Sequence, residues 1–257
     1  MSLPQAADRA LTALFRAMDG AASYQRAELA LTLHMLEFLA PRFFVEKQLA
    51  GRRDGALKAL GKLSTAFGPR LDVEEAMARL DGLYLRAVRG LPPRKFDRRA
   101  LQRCVVRAEQ QEGTLWRWLM GELAARLGVR AALALDERWP FAAQPTLHLY
   151  HLTHVVLVET EYLRRPVPAR LGRELGQLQQ ALEPLARAQS WDLLAECVLC
   201  LNRAGIRADR AIEALRAAQR PDGSFAEAGS SPRVGAHCTA AGILALAGAL
   251  DLERSAP

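Results

Sequence analysis

Helical periodicity runs almost without interruption through this chain, and it limits the fold more than any other feature. Apolar residues recur at three- and four-residue spacings from the first segment, "QAADRALTALFRAMDG", to the last, "GAHCTAAGILALAGAL". No stretch alternates apolar and polar residues over a strand's length with β-branched enrichment, so no sheet is expected. The punctuation is that of helix ends: Gly20, Pro41, "LPPRK" and the two prolines of "DERWPFAAQPT". The segment "LHLYHLTHVVLVETEYLRR" reads as one helix running through Arg165, and "RRDGALKALGKLSTAFGP" as another.

The helices are of two kinds. "ARLGRELGQLQQALEPL" and "RADRAIEALRAAQR" carry a full charged face, whereas "LTLHMLEFLA", "HLTHVVLV", "LLAECVLCL" and the last helix are apolar nearly all round. A helix without a polar face is covered on both sides. The expected fold is all-α: helical hairpins in two layers, inner helices wrapped by outer ones, in a single domain over 1–257. A chain of 257 residues can bury a core of that size.

One segment carries a resemblance. In "LRAAQRPDGSFAEAGSSPRVGAHCTAAGILALAGAL", residues 215–250, Gln219, Asp222, Gly223 and Phe225 form a turn motif. His237, Thr239 and a run of small residues open the next helix. This resembles the repeat of the terpenoid cyclase and protein prenyltransferase superfamily, which implies an α/α toroid or partial toroid. The Gln and the aromatic residue are structural in that repeat. The superfamily's Asp-x-Asp-Asp acid motif and Asp-Asp-x-x-Asp magnesium motif are absent, and Asp222-Gly223-Ser224 lacks the cysteine of the prenyltransferase zinc site. Terpene cyclisation and protein prenylation are therefore not expected. "HLTHVVLVETEYLRR" also resembles part of an uncharacterised bacterial family of toroid-like proteins, some associated with biosynthetic gene clusters.

Composition narrows the function classes. The net charge of +7 is almost all arginine, with lysine only at Lys47, Lys58, Lys62 and Lys95. That bias suits a GC-rich bacterial genome. The basic residues are interspersed with acids and lack interleaved aromatics, so nucleic acid is not an expected partner. An anionic small molecule would suit the net charge equally well. No signal peptide is evident and no run of 18 uncharged apolar residues occurs, so a cytoplasmic protein without a membrane role is expected. The four cysteines then read as reduced thiols. Nothing in the composition speaks to oligomeric state.

All five histidines lie on helices that read as buried. His148, His151 and His154 fan across about 120° of one helix face. His34 stands three residues from Glu37, Glu196 four from Cys200, and His237 and Cys238 open the last helix. If these helices line a central cavity, their polar groups can meet there. The expected centre is a metal site of His151, His154, His237 and Cys200, with Glu196 as acid/base. His148, His34, Glu37, Cys238 and Asp222 would be further pocket residues. Zinc, iron or copper would accept such donors. Each group also has a packing role open to it: His-x-x-His pairs hydrogen-bond across cores, buried thiols fill space, and Pro-Asp-Gly makes turns. Trp139 and Phe141 would cover the pocket mouth or pack their own loop. Two classes follow. One is a bacterial, metal-assisted enzyme acting on a small molecule in a central cavity, with specialised-metabolite biosynthesis as a setting. The other is a non-catalytic ligand-binding or scaffold protein of the same fold.

Overall fold

A computed structural model describes residues 1–18, 23–68, 71–91, 94–112, 114–129, 144–225 and 232–255. The described residues are all-helical, with no strand among them. In chain order the helices are α1 (Leu3–Met18), α2 (Ser23–Leu39), α3 (Pro41–Glu46), α4 (Ala50–Leu60), α5 (Val73–Val88), α6 (Arg98–Glu112), α7 (Thr114–Arg126), α8 (Pro145–Glu159), α9 (Gly172–Arg187), α10 (Trp191–Arg203), α11 (Asp209–Ala218) and α12 (Pro232–Ser255). A single 3-10 turn at Ala169–Leu171 precedes α9. Trp139, Phe141 and the "GSS" stretch at 229–231 lie outside the described residues.

Six helices make a closed circuit of contacts. α2 packs on α5, α5 on α7, α7 on α8, α8 on α10, α10 on α12, and α12 returns to α2. The other six pack against members of that circuit: α1 on α12, α3 and α4 on α2, α6 on α7, α9 on α10, and α11 on α10 and α12. Hairpin connectivity accounts for α6 on α7 and α9 on α10, each covering the helix that follows it, whereas α1 and α4 cover helices that are not their successors.

Helix α12 is enclosed along most of its apolar run. Its Ala240, Ala241, Ala245 and Ala247 are buried, and small side chains let neighbouring helices approach closely. A Cβ on Gly248 would meet Asn202 and Leu39 at 2.9 and 3.0 Å. The span Val234–Ser255 is long and apolar enough to cross a membrane, but 78% of its most apolar window is buried inside the protein. It is a core helix. It is also longer than its apolar run, because Asp251 near its end is held against α3, accepting from the Arg42 and Phe43 amides.

The turn between α11 and α12 shows why its motif has that composition. The Gln219 side chain donates to the carbonyls of Ala6 and Gly223, tying the turn to α1. Gly223 has φ +92, and a Cβ there would stand 2.4 Å from the Arg9 carbonyl oxygen, so only glycine fits. Phe225 packs its ring where a Cβ on Gly242 would lie.

Helix α8 stops earlier than its periodicity predicts. After Glu159, residues Glu161, Tyr162 and Leu163 have φ of 51, 54 and 65, three consecutive left-handed residues without a glycine. Thr160 organises the change, its hydroxyl donating to the Val156 carbonyl and accepting from the Leu163 amide. Arg203 holds the turn from α10, donating to the carbonyls of Arg164, Arg165 and Phe38. Likewise, α4 ends at Leu60, short of the predicted segment.

Candidate functional site: an Asp–Glu–His centre in a helical cavity

The circuit of helices encloses a cavity of about 580 Å³. Each helix lines it from its first turn onward, and α2, α5 and α8 reach past their midpoints: among the lining are Glu28 from α2, Glu74 and Asp81 from α5, Leu115 and Trp116 from α7, Tyr150 and His154 from α8, Asp192 and Glu196 from α10, and His237 from α12. The six N-termini therefore face the same end. Their dipoles favour ionised carboxylates in the first turns, where Glu74 and Asp192 stand.

Asp192, Glu196 and His237 converge there. One ligand atom from each lies within 4.8 Å of the other two. Asp192 and Glu196 share a stripe of α10 through their four-residue spacing, and α12 brings His237 against it. His237 Nε2 is 3.2 Å from Glu196 Oε1 and 3.8 Å from Asp192 Oδ1. Two ligands about 2.1 Å from a tetrahedral metal lie about 3.4 Å apart, so these separations suit a shared ion.

Each of these residues is held by its remaining atom. Tyr150 donates its hydroxyl to Asp192 Oδ2 at 2.8 Å, Thr153 donates to Glu196 Oε2 at 2.6 Å, and His237 Nδ1 lies 3.1 Å from Glu28 Oε2. Asp192 Oδ1, the atom facing the imidazole, is buried with no hydrogen-bond partner. The three inward atoms are thus left to each other while the three outward ones are fixed. The described residues can hold a metal ion at this point.

The electrostatics follow from burial of charges at close quarters. Burial works against a charged His237, but Glu28, Asp192 and Glu196 outweigh it and hold its pKa well above the usual range. Burial would raise Glu196, yet His154, His237 and the Thr153 hydroxyl hold its pKa below the usual value. Asp192 goes the other way: burial raises it and Glu196 adds to that, only partly offset by His237. Although His237 lies deep in the fold, 42% of its side-chain surface is open, and it opens onto the cavity.

Of the residues singled out from sequence, Glu196, His154 and His237 line this cavity. His154 donates from Nδ1 to the Tyr150 carbonyl at 2.7 Å, leaving Nε2 for the cavity. Cys238 touches the site from behind, hydrogen-bonded to Asp192.

The others are placed elsewhere. His151 turns away from the cavity, its ring edge-on to Trp118 with centroids 4.5 Å apart. His148 reaches Gln177 on α9. His151 is about 80° and His148 about 140° from the centre of the inward stripe of Leu147, Tyr150, His154 and Leu157. Cys200 does share the stripe of Asp192 and Glu196, but one turn deeper, where α10 closes on α8. There its thiol donates to the Thr153 carbonyl at 3.7 Å, and burial raises its pKa well above the ordinary value. It is not among the cavity lining, and neither is Cys197.

His34 and Glu37 form a separate cluster with Arg89 and Arg53. Asp222 caps its own turn, accepting from the Ser224 amide and hydroxyl, and these bonds hold its carboxyl below the usual range.

Glu28, Tyr150 and Asp192 were missed. Asp192 reads as an ordinary first-turn acid, although its i, i+4 relation to Glu196 marks it. Tyr150 is four residues before His154 on the same stripe. Glu28 carried no signal beyond being an acid near an apolar run.

Fold and site together define an all-helical protein whose inner helices carry a carboxylate–imidazole centre into a cavity. Residues 2–242 match the domain of unknown function DUF6895, and the chain belongs to that family. No curated protein and no solved structure matches it.

Proposed function

We propose that this protein is a metal-assisted enzyme acting on a small molecule in the cavity, with Asp192, Glu196 and His237 as metal ligands. What carries the reading is the pairing of inner and outer atoms: three donor atoms face one point, and Tyr150, Thr153 and Glu28 each fix the other end of a donor. A carboxylate on the far nitrogen of a metal-binding imidazole, as Glu28 is on His237, orients the ring and raises its basicity. Two carboxylates and one imidazole suit zinc or iron(II), and with the thiols held away from the centre copper is less favoured. A metal held here would polarise the substrate or activate water. Glu196, an acid/base candidate by sequence, then serves as a ligand. His154, with Nε2 toward the cavity, takes or gives the proton.

The fold reading that goes with this is a two-layer α/α toroid. It is supported by the closed circuit of six helices, by their common N-terminal direction, and by the Gln219–Phe225 turn.

The test is the metal content of tag-free protein, with melting temperatures measured in added zinc and iron(II). Near-stoichiometric metal is expected, lost in His237→Ala and Asp192→Asn. Protein that contains no metal and does not respond to added ions would leave the second reading. In that reading the cluster is an imidazolium held between carboxylates, as the His237–Glu28 and His237–Glu196 contacts allow, in a protein that binds a ligand without transforming it.

A further inference from the structure

The cavity has a second polar feature, on the α5 wall. Asp81 lies in the middle of α5, is 6% exposed, and lines the cavity. Tyr162 donates its hydroxyl to Asp81 Oδ1 at 2.9 Å. That donor is neutral. Glu28, Asp192 and Glu196 each lie against an imidazole, whereas Asp81 has no cationic partner among the described residues. Among the described residues, no lysine or arginine lines the cavity.

The Tyr162 contact is also costly to build. Tyr162 sits in the three-residue left-handed turn, and each such residue costs about 1 kcal/mol or more in backbone energy. Arg203 and Thr160 hold that turn in place. Tyr84 stacks edge-on against the Tyr162 ring, with centroids 5.5 Å apart. A buried carboxyl facing open space, fixed by a strained element, keeps its proton near pH 7 while the cavity is empty and can release it to pair with a cation that enters. Burial already pushes the carboxyl up to about 8, the nearby Glu28 adding to the effect against the Tyr162 hydrogen bond.

We propose that Asp81, oriented by Tyr162, binds the protonated amino group of the small molecule that occupies the cavity. This rests on the reading of the cavity as a ligand site, but not on the metal. The substrate class is an amine with an apolar body: Leu31, Met35, Met77, Leu119 and Leu157 supply the apolar wall, and Trp116 an aromatic face. The net positive charge of the chain, which would suit an anionic ligand, lies outside the cavity.

Calorimetric titration at pH 7 tests this with three matched probes: 4-phenylbutylamine, 4-phenylbutan-1-ol and 4-phenylbutanoate. Chelator-treated and metal-loaded protein are both titrated. The amine is expected to bind about tenfold or more tighter than the alcohol, with the carboxylate weakest. Asp81→Asn, which keeps the side-chain shape, should remove the preference for the amine while retaining any bound metal. Tyr162→Phe keeps the carboxyl but releases its orientation, and should weaken the preference without removing it. An amine that fails to bind, an alcohol that binds equally well, or an unchanged preference in Asp81→Asn each overturns the proposal. His237→Ala separates the two readings, since it should abolish metal binding and leave the preference for the amine.

Discussion

The two ends of the helical circuit are built from the same helices and differ in nearly every physical respect. Toward the helix N-termini the ring is hollow, and its polar groups meet across open space. Away from the cavity lining it is solid. There Leu33, Leu36 and Leu163 are wholly buried, and Asn202 donates to the Ala245 carbonyl. Arg203 binds the ends of two neighbouring segments. Polar residues at the solid end are consumed by packing: His34 is fixed between Arg89 and the Glu161 carbonyl, and Cys200 against Thr153. A polar residue on an inner helix is therefore available for chemistry only where both its depth and its facing bring it to the cavity.

Core deletions should break this contrast most visibly. Leu36 on α2 is wholly buried away from the cavity, while Leu31, more than a turn earlier, lines it. Leu36→Ala should destabilise by about 3–4 kcal/mol in urea unfolding, because a void opens in a packed region. Leu31→Ala should cost about 1–2 kcal/mol, since its outer side is already open. Equal losses would mean that the two ends are packed alike.

The next effect is in pH, where the ends should slope in opposite directions. Asp81 has a raised pKa of about 8 against an ordinary 3.8. The folded state thus holds a proton that the unfolded state has released, and stability falls as pH rises between these values. At about 1.4 kcal/mol per unit, wild type should lose about 2–3 kcal/mol between pH 6 and pH 8 relative to Asp81→Asn. His34 is lowered to about 4, by burial first and by Arg89 and Arg164, against the Glu161 carbonyl and Glu37. Its contribution is present above pH 6.5 and is lost as pH falls toward 4. His34→Gln should flatten that acid limb by about 2 kcal/mol in chemical denaturation series. Slopes of the same sign at the two ends would contradict the assignment.

Sequence reasoning reached the fold class because periodicity and all-round apolarity are local properties: "LLAECVLCL" has to be an inner helix wherever it sits. It reached Glu196 and His237 for the same reason, since a charge in an apolar run needs a partner. Depth and facing are not local. Nothing in α10 says that Glu196 stands above the closure and Cys200 below it, because that depends on where α8 crosses. The left-handed turn at 161–163 was hidden because its residues are Glu, Tyr and Leu, and tertiary contacts from Arg203 and Thr160 hold it, not glycine. Asp81 appeared as an ordinary acid in an amphipathic helix, and only Tyr162, 81 residues away, shows its role.

The smallest expected effect tests facing alone. His151 and His154 are three apart on one helix, yet one packs on Trp118 and the other lines the cavity. His151→Phe keeps a ring against Trp118 and should change unfolding free energy by less than about 1 kcal/mol. Metal content and the preference for the amine probe should be unchanged. His154→Phe places an apolar ring beside Glu196 and should disturb the centre even if the fold is intact, because Glu196 loses an imidazole neighbour. Metal loss in His151→Phe would show that the histidine pair acts as one unit. Retention there together with disturbance in His154→Phe would show that about 60° of helix rotation separates a packing histidine from a functional one.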